Sequence, residues 1–177
     1  NGVIGDHNYN WWDAIHSDIS GNGTNPCNFS TTAPCDDYYS SHGTHTMGIG
    51  VGDDGMGNRI GMAPGAKWIA CRNMEEGWGR PSTYIECFQF FLAPTDLNGN
   101  NANPDLRPDA VGNSYGCTLS EGCSPDTFAT IQQAMDNLRA AGVFMAVSAG
   151  NSGSGCETVD EPPAIHDSAI TVGATYD

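Results

Sequence analysis

Two histidines three residues apart stand at the start of the most chemically suggestive stretch of this sequence, Ser41-His42-Gly43-Thr44-His45-Thr46-Met47-Gly48, and Gly61-Met62-Ala63-Pro64-Gly65-Ala66 follows after a turn. An imidazole near its ordinary pKa takes a hydroxyl proton at neutral pH and returns it to a leaving amine. That work needs the ring at the end of an element, facing a cleft. Gly43 and Gly48 let the backbone pack tightly beneath such a site. A second stretch, Val143-Phe144-Met145-Ala146-Val147-Ser148-Ala149-Gly150-Asn151-Ser152-Gly153, runs from an apolar strand into a small-residue turn that ends on an amide. A carboxamide N–H held at a strand end donates to the charge that develops on a carbonyl oxygen during acyl transfer. Taken singly, a histidine is more often structural and an asparagine after glycine is a turn residue. His42 and His45 can also share a helix face as metal ligands. Zinc, however, wants three or four ligands, and no glutamate forms an H-E-x-x-H arrangement.

Elements must position these groups. The glycine-spaced segment His42 to Val51 suits a buried helix, and Asp53 to Asn58 is turn-forming. Ala66 to Arg72 is a short apolar run of strand type. Pro81 fits a first helical turn, and Ile85, Phe88 and Leu92 keep helical spacing until Pro94. Ala110 to Asn113 is a second strand. Ser124 or Asp126 caps a helix running to about Ala141 with Phe128, Ile131, Met135 and Leu138 on one face, and Gly142 ends it. Val143 to Val147 and Ala169 to Val172 complete the strands. Strands separated by helices of this length cannot be hairpins, so they pair in parallel with right-handed crossovers. The expected fold class is α/β, a parallel β-sheet flanked by helices within a single domain over residues 1–177. The first forty residues, including Tyr9, Trp11, Trp12 and the Cys-bounded stretch Ser20 to Pro34, have little periodicity and are expected to be surface loops.

Composition narrows the partners. Six Lys and Arg stand against 21 Asp and Glu, a formal charge of −15, so the clustered cations that neutralise phosphate are missing and nucleic acid is excluded. No apolar run approaches the roughly 20 residues of a membrane span. Seven cysteines are many for a cytosolic chain and imply an extracellular, secreted setting. Cys27 with Cys35 and Cys117 with Cys123 close short loops, Cys71 and Cys87 can pair, and Cys156 is left over. Without an initiating methionine or a signal peptide, the simplest expectation is a soluble fragment.

The His42 segment followed by Gly61 to Ala66 resembles the histidine region of the subtilisin superfamily, and Ala149-Gly150-Asn151-Ser152-Gly153 resembles its oxyanion-hole element. His7 to Asp13 and Gly65 to Ala70 are similar to the bacillopeptidase F branch of the subtilases. The resemblance implies a serine endopeptidase in which His42 is the general base, His45 a structural neighbour and Asn151 the oxyanion donor. It also implies that Asp109 to Gly116 forms a strand whose backbone at Ser114, Tyr115 and Gly116 pairs with an extended polypeptide substrate. Ser148, Ala149 and Gly150 would wall the primary specificity pocket. No cofactor is required, although the oxygen-rich turn of Asp53, Asp54 and Asn58 lies where subtilisins often hold Ca²⁺. The family's aspartate, in an apolar-apolar-Asp-Ser/Thr-Gly strand, and its nucleophile, in G-T-S-M-A, have no counterpart here; Asp6 is followed by His7 and Asn8 instead. The segment is therefore expected to be the central part of a catalytic domain, inactive alone, with the remainder of that domain as its partner. The rival readings are a pseudoprotease or peptide-binding module of the same fold, and a metal-dependent hydrolase. The cysteine-bounded insert before His42 and the Cys117 to Cys123 loop depart from the family's basic pattern, which leaves specificity open.

Overall fold

The computed structural model describes residues 5–37 and 41–175. In chain order its elements are β1 (Trp11–Asp13), α1 (His42–Val51), β2 (Ala70–Arg72), β3 (Met74–Glu75), β4 (Trp78–Gly79), α2 (Pro81–Leu92), β5 (Ala110–Asn113), α3 (Pro125–Ala140), β6 (Phe144–Ser148) and β7 (Ile170–Val172). Along β6 the side chains alternate, with Met145 and Val147 buried and Phe144 exposed, the period of two that makes a strand. β6 is the centre of a three-stranded parallel sheet, order β5-β6-β7, in which Asn113 lies opposite Val147 and Ser148 opposite Val172. β1 and β2 form a second parallel pair, so the chain has the expected α/β character with its parallel strands divided between two sheets.

The core lies between α2, α3 and the inner face of the β5-β6-β7 sheet. Tyr84 and Phe88 meet Ile131, Met135 and Leu138 there, over Val111, Val143 and Met145. Both helices begin with a proline whose missing N–H would have had no partner in a first turn. At α3, Ser124 is the N-cap residue and its N–H donates to Thr127 Oγ1 (2.9 Å). Gly142, at φ 87°, turns the chain out of that helix into β6.

Three expectations are corrected and one unexpected element appears. First, the early residues are not all surface loop: β1 pairs with β2, and Trp11, Asp13, Ala14 and Ile15 are buried. A strand of three residues is too short to show periodicity. Residues 1–4 and 38–40 of that stretch lie outside the described residues. Second, of the strand expected over Ala66 to Arg72 only Ala70–Arg72 forms, because β1 offers no more partners than that. Third, α1 has the expected bounds, yet none of its residues is buried. Its small side chains give it little to bury, and it is held through backbone instead: Gly61, Met62 and Ala63 N–H donate to Gly52, Ile49 and Gly50 carbonyls at 2.9, 3.0 and 2.9 Å. A Cβ on Gly61 would stand 2.2 Å from the Gly52 nitrogen and 2.5 Å from the Val51 carbonyl carbon, so glycine permits this approach. Fourth, a hairpin appears in a stretch not assigned to any element, where β3 and β4 pair antiparallel around Glu76 and Gly77, both at positive φ.

The three disulfides are Cys27–Cys35, Cys71–Cys87 and Cys117–Cys123, and Cys156 is an exposed free thiol. Among the described residues no helix is long and apolar enough to cross a membrane.

Candidate active site

His42 is the first residue of α1 and is exposed, as is His45 one turn further on. Ser41, at the N-cap, adopts a left-handed conformation (φ 50°) and its side chain caps nothing. One amide of the first turn is served from elsewhere: Asp36 Oδ2 accepts from Thr44 N (2.7 Å) and also from Thr44 Oγ1 (2.8 Å). A carboxylate at this position satisfies an unpaired N–H and faces the positive end of the helix. Sequence reasoning missed Asp36, because it lies six residues ahead of His42 and outside the S/T-x-x-E capping pattern.

Asn151 follows β6 after Ala149 and Gly150. Ser148 and Ala149 are half-buried, and Ala149 N–H donates to the Val172 carbonyl (2.9 Å), which ties this turn to the end of β7. Gly150 then takes φ 81°, a conformation that costs other residues, and Asn151 emerges exposed. At the neighbouring strand end, Asn113 is buried, with its amide nitrogen 3.4 Å from the Ala146 carbonyl and its Oδ1 accepting from Tyr115 Oη (3.2 Å). Ser114 is exposed. The Tyr115 ring stacks on Tyr84, centroids 4.5 Å apart, so its side chain belongs to the core and its backbone remains for other contacts. Burial holds the Tyr115 phenol above its ordinary range. The parallel register ends with Asn113 opposite Val147, so the stretches Ser114 to Gly116 and Ser148 to Gly150 both follow from the carboxyl ends of β5 and β6. His42 stands on an element that leads into the other parallel pair, β1 and β2.

Behind this edge lies a carboxylate that the sequence did not single out. Glu121 accepts from Gly79 N (2.7 Å), Tyr84 Oη (2.8 Å) and Thr118 N (2.8 Å), joining the β3–β4 hairpin, α2 and the Cys117–Cys123 loop. Burial and then the Glu121 charge push the Tyr84 phenol upward. Burial also raises Glu161, with Asp160 and Glu121 adding to it. A Cβ on Gly116 would come 2.5 Å from Glu161 Oε2, so that carboxylate sits against the backbone expected to meet substrate.

The remaining candidates are placed as follows. Asp6 is exposed, and its Oδ1 accepts from Asn8 N (2.9 Å) and Nδ2 (2.6 Å). In the turn after α1, Asp53 Oδ1 accepts from Gly55 N and Asp54 Oδ1 from Met56 N and Asn58 N, while Arg59 Nε lies 3.2 Å from Asp53 Oδ2. Three of these carboxylate contacts go to the turn's own amides and the fourth brings a cation, so the oxygens as placed do not fit a calcium cage. Among the described residues no three His, Cys, Asp or Glu are grouped to hold a metal.

Parallel strands ending in small-residue turns at one carboxyl edge, with helices packed on the sheet, define an α/β protein. The chain belongs to the subtilase family, whose model matches residues 6–177. It is 37% identical over 144 residues to bacillopeptidase F of Bacillus subtilis (strain 168), covering 81% of this chain and 8% of that protein. It is 30% identical over 153 residues to the serine protease AprX of the same organism, covering 82% and 32%. With subtilisin-like protease 6 of Trichophyton tonsurans the identity is 29% over 164 residues, covering 92% and 36%. The chain therefore spans well under half the length of each of these relatives.

Proposed function

We propose that this chain is the segment of a secreted subtilisin-like serine endopeptidase that carries the general base, His42, and an oxyanion donor, Asn151. The observation that supports this most directly is the parallel register of β5, β6 and β7, with Asn113 opposite Val147 and Ser148 opposite Val172. It opens the turn bearing Asn151 and the backbone at Ser114 to Gly116 on the same carboxyl edge, where α/β sheets take their ligands.

In this reading an extended polypeptide lies along Ser114, Tyr115 and Gly116, with Ser148, Ala149 and Gly150 beside the residue at the scissile bond. A serine hydroxyl from the remainder of the domain attacks the carbonyl. His42 takes the hydroxyl proton and returns it to the leaving amine, and Asn151 donates its side-chain N–H to the oxyanion. No cofactor enters the reaction. Three disulfides support an oxidising, extracellular setting.

The test is a fluorogenic-peptide assay on the complete catalytic domain. His42→Ala abolishes turnover, and Asn151→Ala lowers kcat by about 10²- to 10³-fold with KM little changed, a figure set by subtilisins themselves. The isolated 177-residue chain turns nothing over. Full activity of the His42→Ala domain, or turnover by the isolated chain that His42→Ala removes, overturns the proposal.

A further inference from the structure

The cysteine-bounded insert ahead of His42 is wired to the core at several points. Cys27–Cys35 closes it. Asn25 sits at its base, where its Oδ1 accepts from Cys27 N (2.8 Å) and its Nδ2 donates to Asp37 Oδ2 (3.1 Å) and Glu75 Oε1 (2.8 Å). Ser30 N donates to the Ile15 carbonyl (2.8 Å) and Thr31 N to Asp13 Oδ2 (2.7 Å), so the middle of the insert lies along the end of β1. At its far end two consecutive acids point to different partners. Asp37 Oδ2 meets the buried Arg72 guanidinium of β2 at 3.3 Å, and Asp36 Oδ2 reaches the first turn of α1 through Thr44 N and Oγ1.

We infer that Asp36 is a positioning residue for His42, and that the insert is a clamp that fixes the start of α1 to the β1–β2 pair. This inference rests on the reading of His42 as general base. α1 needs such a clamp: none of its residues is buried, its N-cap side chain makes no cap, and His42 is its first residue. The cap from Asp36 acts through Thr44 on the turn that carries the ring. Gly43 belongs to the same contact, for a Cβ there would stand 3.5 Å from Asp36 Oδ2. A proton-transfer group displaced by about 1 Å loses up to about 10²-fold in rate while substrate binding is unaffected.

The experiment uses the complete catalytic domain. Asp36→Ala lowers kcat roughly tenfold or more with KM unchanged, and Asp36→Asn, which keeps a side-chain carbonyl for Thr44 N, recovers most of it. Thr44→Val, which removes the hydroxyl bond alone, gives a smaller loss of the same kind. Hydrogen exchange of the 41–51 peptide quickens in Asp36→Ala, while that of the 131–138 peptide in α3 does not. His42→Ala abolishing turnover while Asp36→Ala leaves kcat unchanged overturns the clamp and leaves the proposed function standing. Persistence of activity in His42→Ala overturns the proposed function itself. Should Asp36→Ala unfold the domain, Asp36→Asn and Thr44→Val decide, and wild-type kcat in Thr44→Val refutes the clamp.

Discussion

Replacing Arg72 with methionine tests how the insert and the first sheet are held together. The guanidinium is almost wholly buried and lies 3.3 Å from both Asp13 Oδ2 and Asp37 Oδ2, while both its terminal nitrogens donate to the Asn28 carbonyl at 3.1 Å. At an effective dielectric of about 20, one such ion pair attracts by about 5 kcal/mol. The sum of two overstates what folding gains, because three charges lose their water and Arg72 Nε is buried with no hydrogen-bond partner among the described residues. Asp13 shows which effect wins. Burial holds its carboxyl above the ordinary range even though Thr31 N, Ile15 N and Arg72 all favour the ionised form. The intact cluster is therefore worth little net, but removing only the cation leaves buried carboxylates without compensation, at about 3–5 kcal/mol. That is a large fraction of a typical stability of about 5–15 kcal/mol.

Urea denaturation of the wild type and of Arg72→Met at two pH values measures this. A carboxyl whose folded pKa exceeds its unfolded value binds its proton more tightly when folded. Ionising it therefore costs stability at every pH above the folded pKa, and that cost disappears as the pH falls to the unfolded value of about 3.9. Arg72→Met raises the folded pKa of Asp13 further, so the gap between variant and wild type is full at pH 7 and narrows toward pH 4. A gap below about 1 kcal/mol at pH 7, the size expected of an exposed pair, refutes the reasoning. So does a gap of equal size at both pH values.

Three further outcomes follow from single sites. His166 is buried, its Nε2 has no hydrogen-bond partner among the described residues, and burial lowers its pKa against the pull of Asp136 and Asp167. The unfolded chain then takes up the proton first, so His166 contributes its full stability above its unfolded pKa of 6.5 and loses it as the pH falls through that value. Thermal midpoints between pH 7.5 and 5.5 should fall more steeply in the wild type than in His166→Phe, which keeps an aromatic ring beside Phe128. Replacing both members of Cys71–Cys87, 16 residues apart, by serine lowers stability by about 3 kcal/mol in denaturant, against about 2 kcal/mol for Cys117–Cys123, 6 apart; the reverse order would contradict the loop-entropy account. Gly150→Ala places a side chain at φ 81° and costs about 1–2 kcal/mol, and in the complete domain it lowers kcat by disturbing the turn that carries Asn151.

What could be read from sequence depended on how far apart the cooperating residues lie. α3 announces itself through Ile131, Met135 and Leu138 at helical spacing and through Gly142 at its end, and the structure buries those three residues. β5 and β6 are each local apolar runs, and the intervening helix forces them parallel. β1 was invisible because it has three residues and owes its place to β2, some sixty residues away. Two of the four buried residues at this point, Trp11 and Asp13, are held by contacts with Thr31 and Arg72 that no window of sequence contains. The β3–β4 hairpin had a local signal, Gly77 in a two-residue turn, but strands of two residues carry no pattern to attach it to.

The same division runs through the candidate site. His42 and Asn151 stand in stretches where neighbouring residues have a related task, so the motif is contiguous and legible: a narrow helix start at Gly43, a left-handed turn at Gly150. Their supports are not contiguous. Asp36 belongs to the insert and Glu121 to a disulfide loop, and each serves backbone amides of an element elsewhere in the chain. An amide can be capped by any acceptor that arrives in the right place, so the capping residue leaves no fixed spacing in the sequence. Reading α1 as a buried helix failed for a related reason: a Cβ on its own Gly48 or Gly50 would meet nothing within 4 Å, and the close backbone approach comes just after the helix, where Gly61 packs on Val51 and Gly52. A helix held in this way leaves its first residue, His42, exposed. It also depends for its position on the acids and the disulfide of the preceding insert.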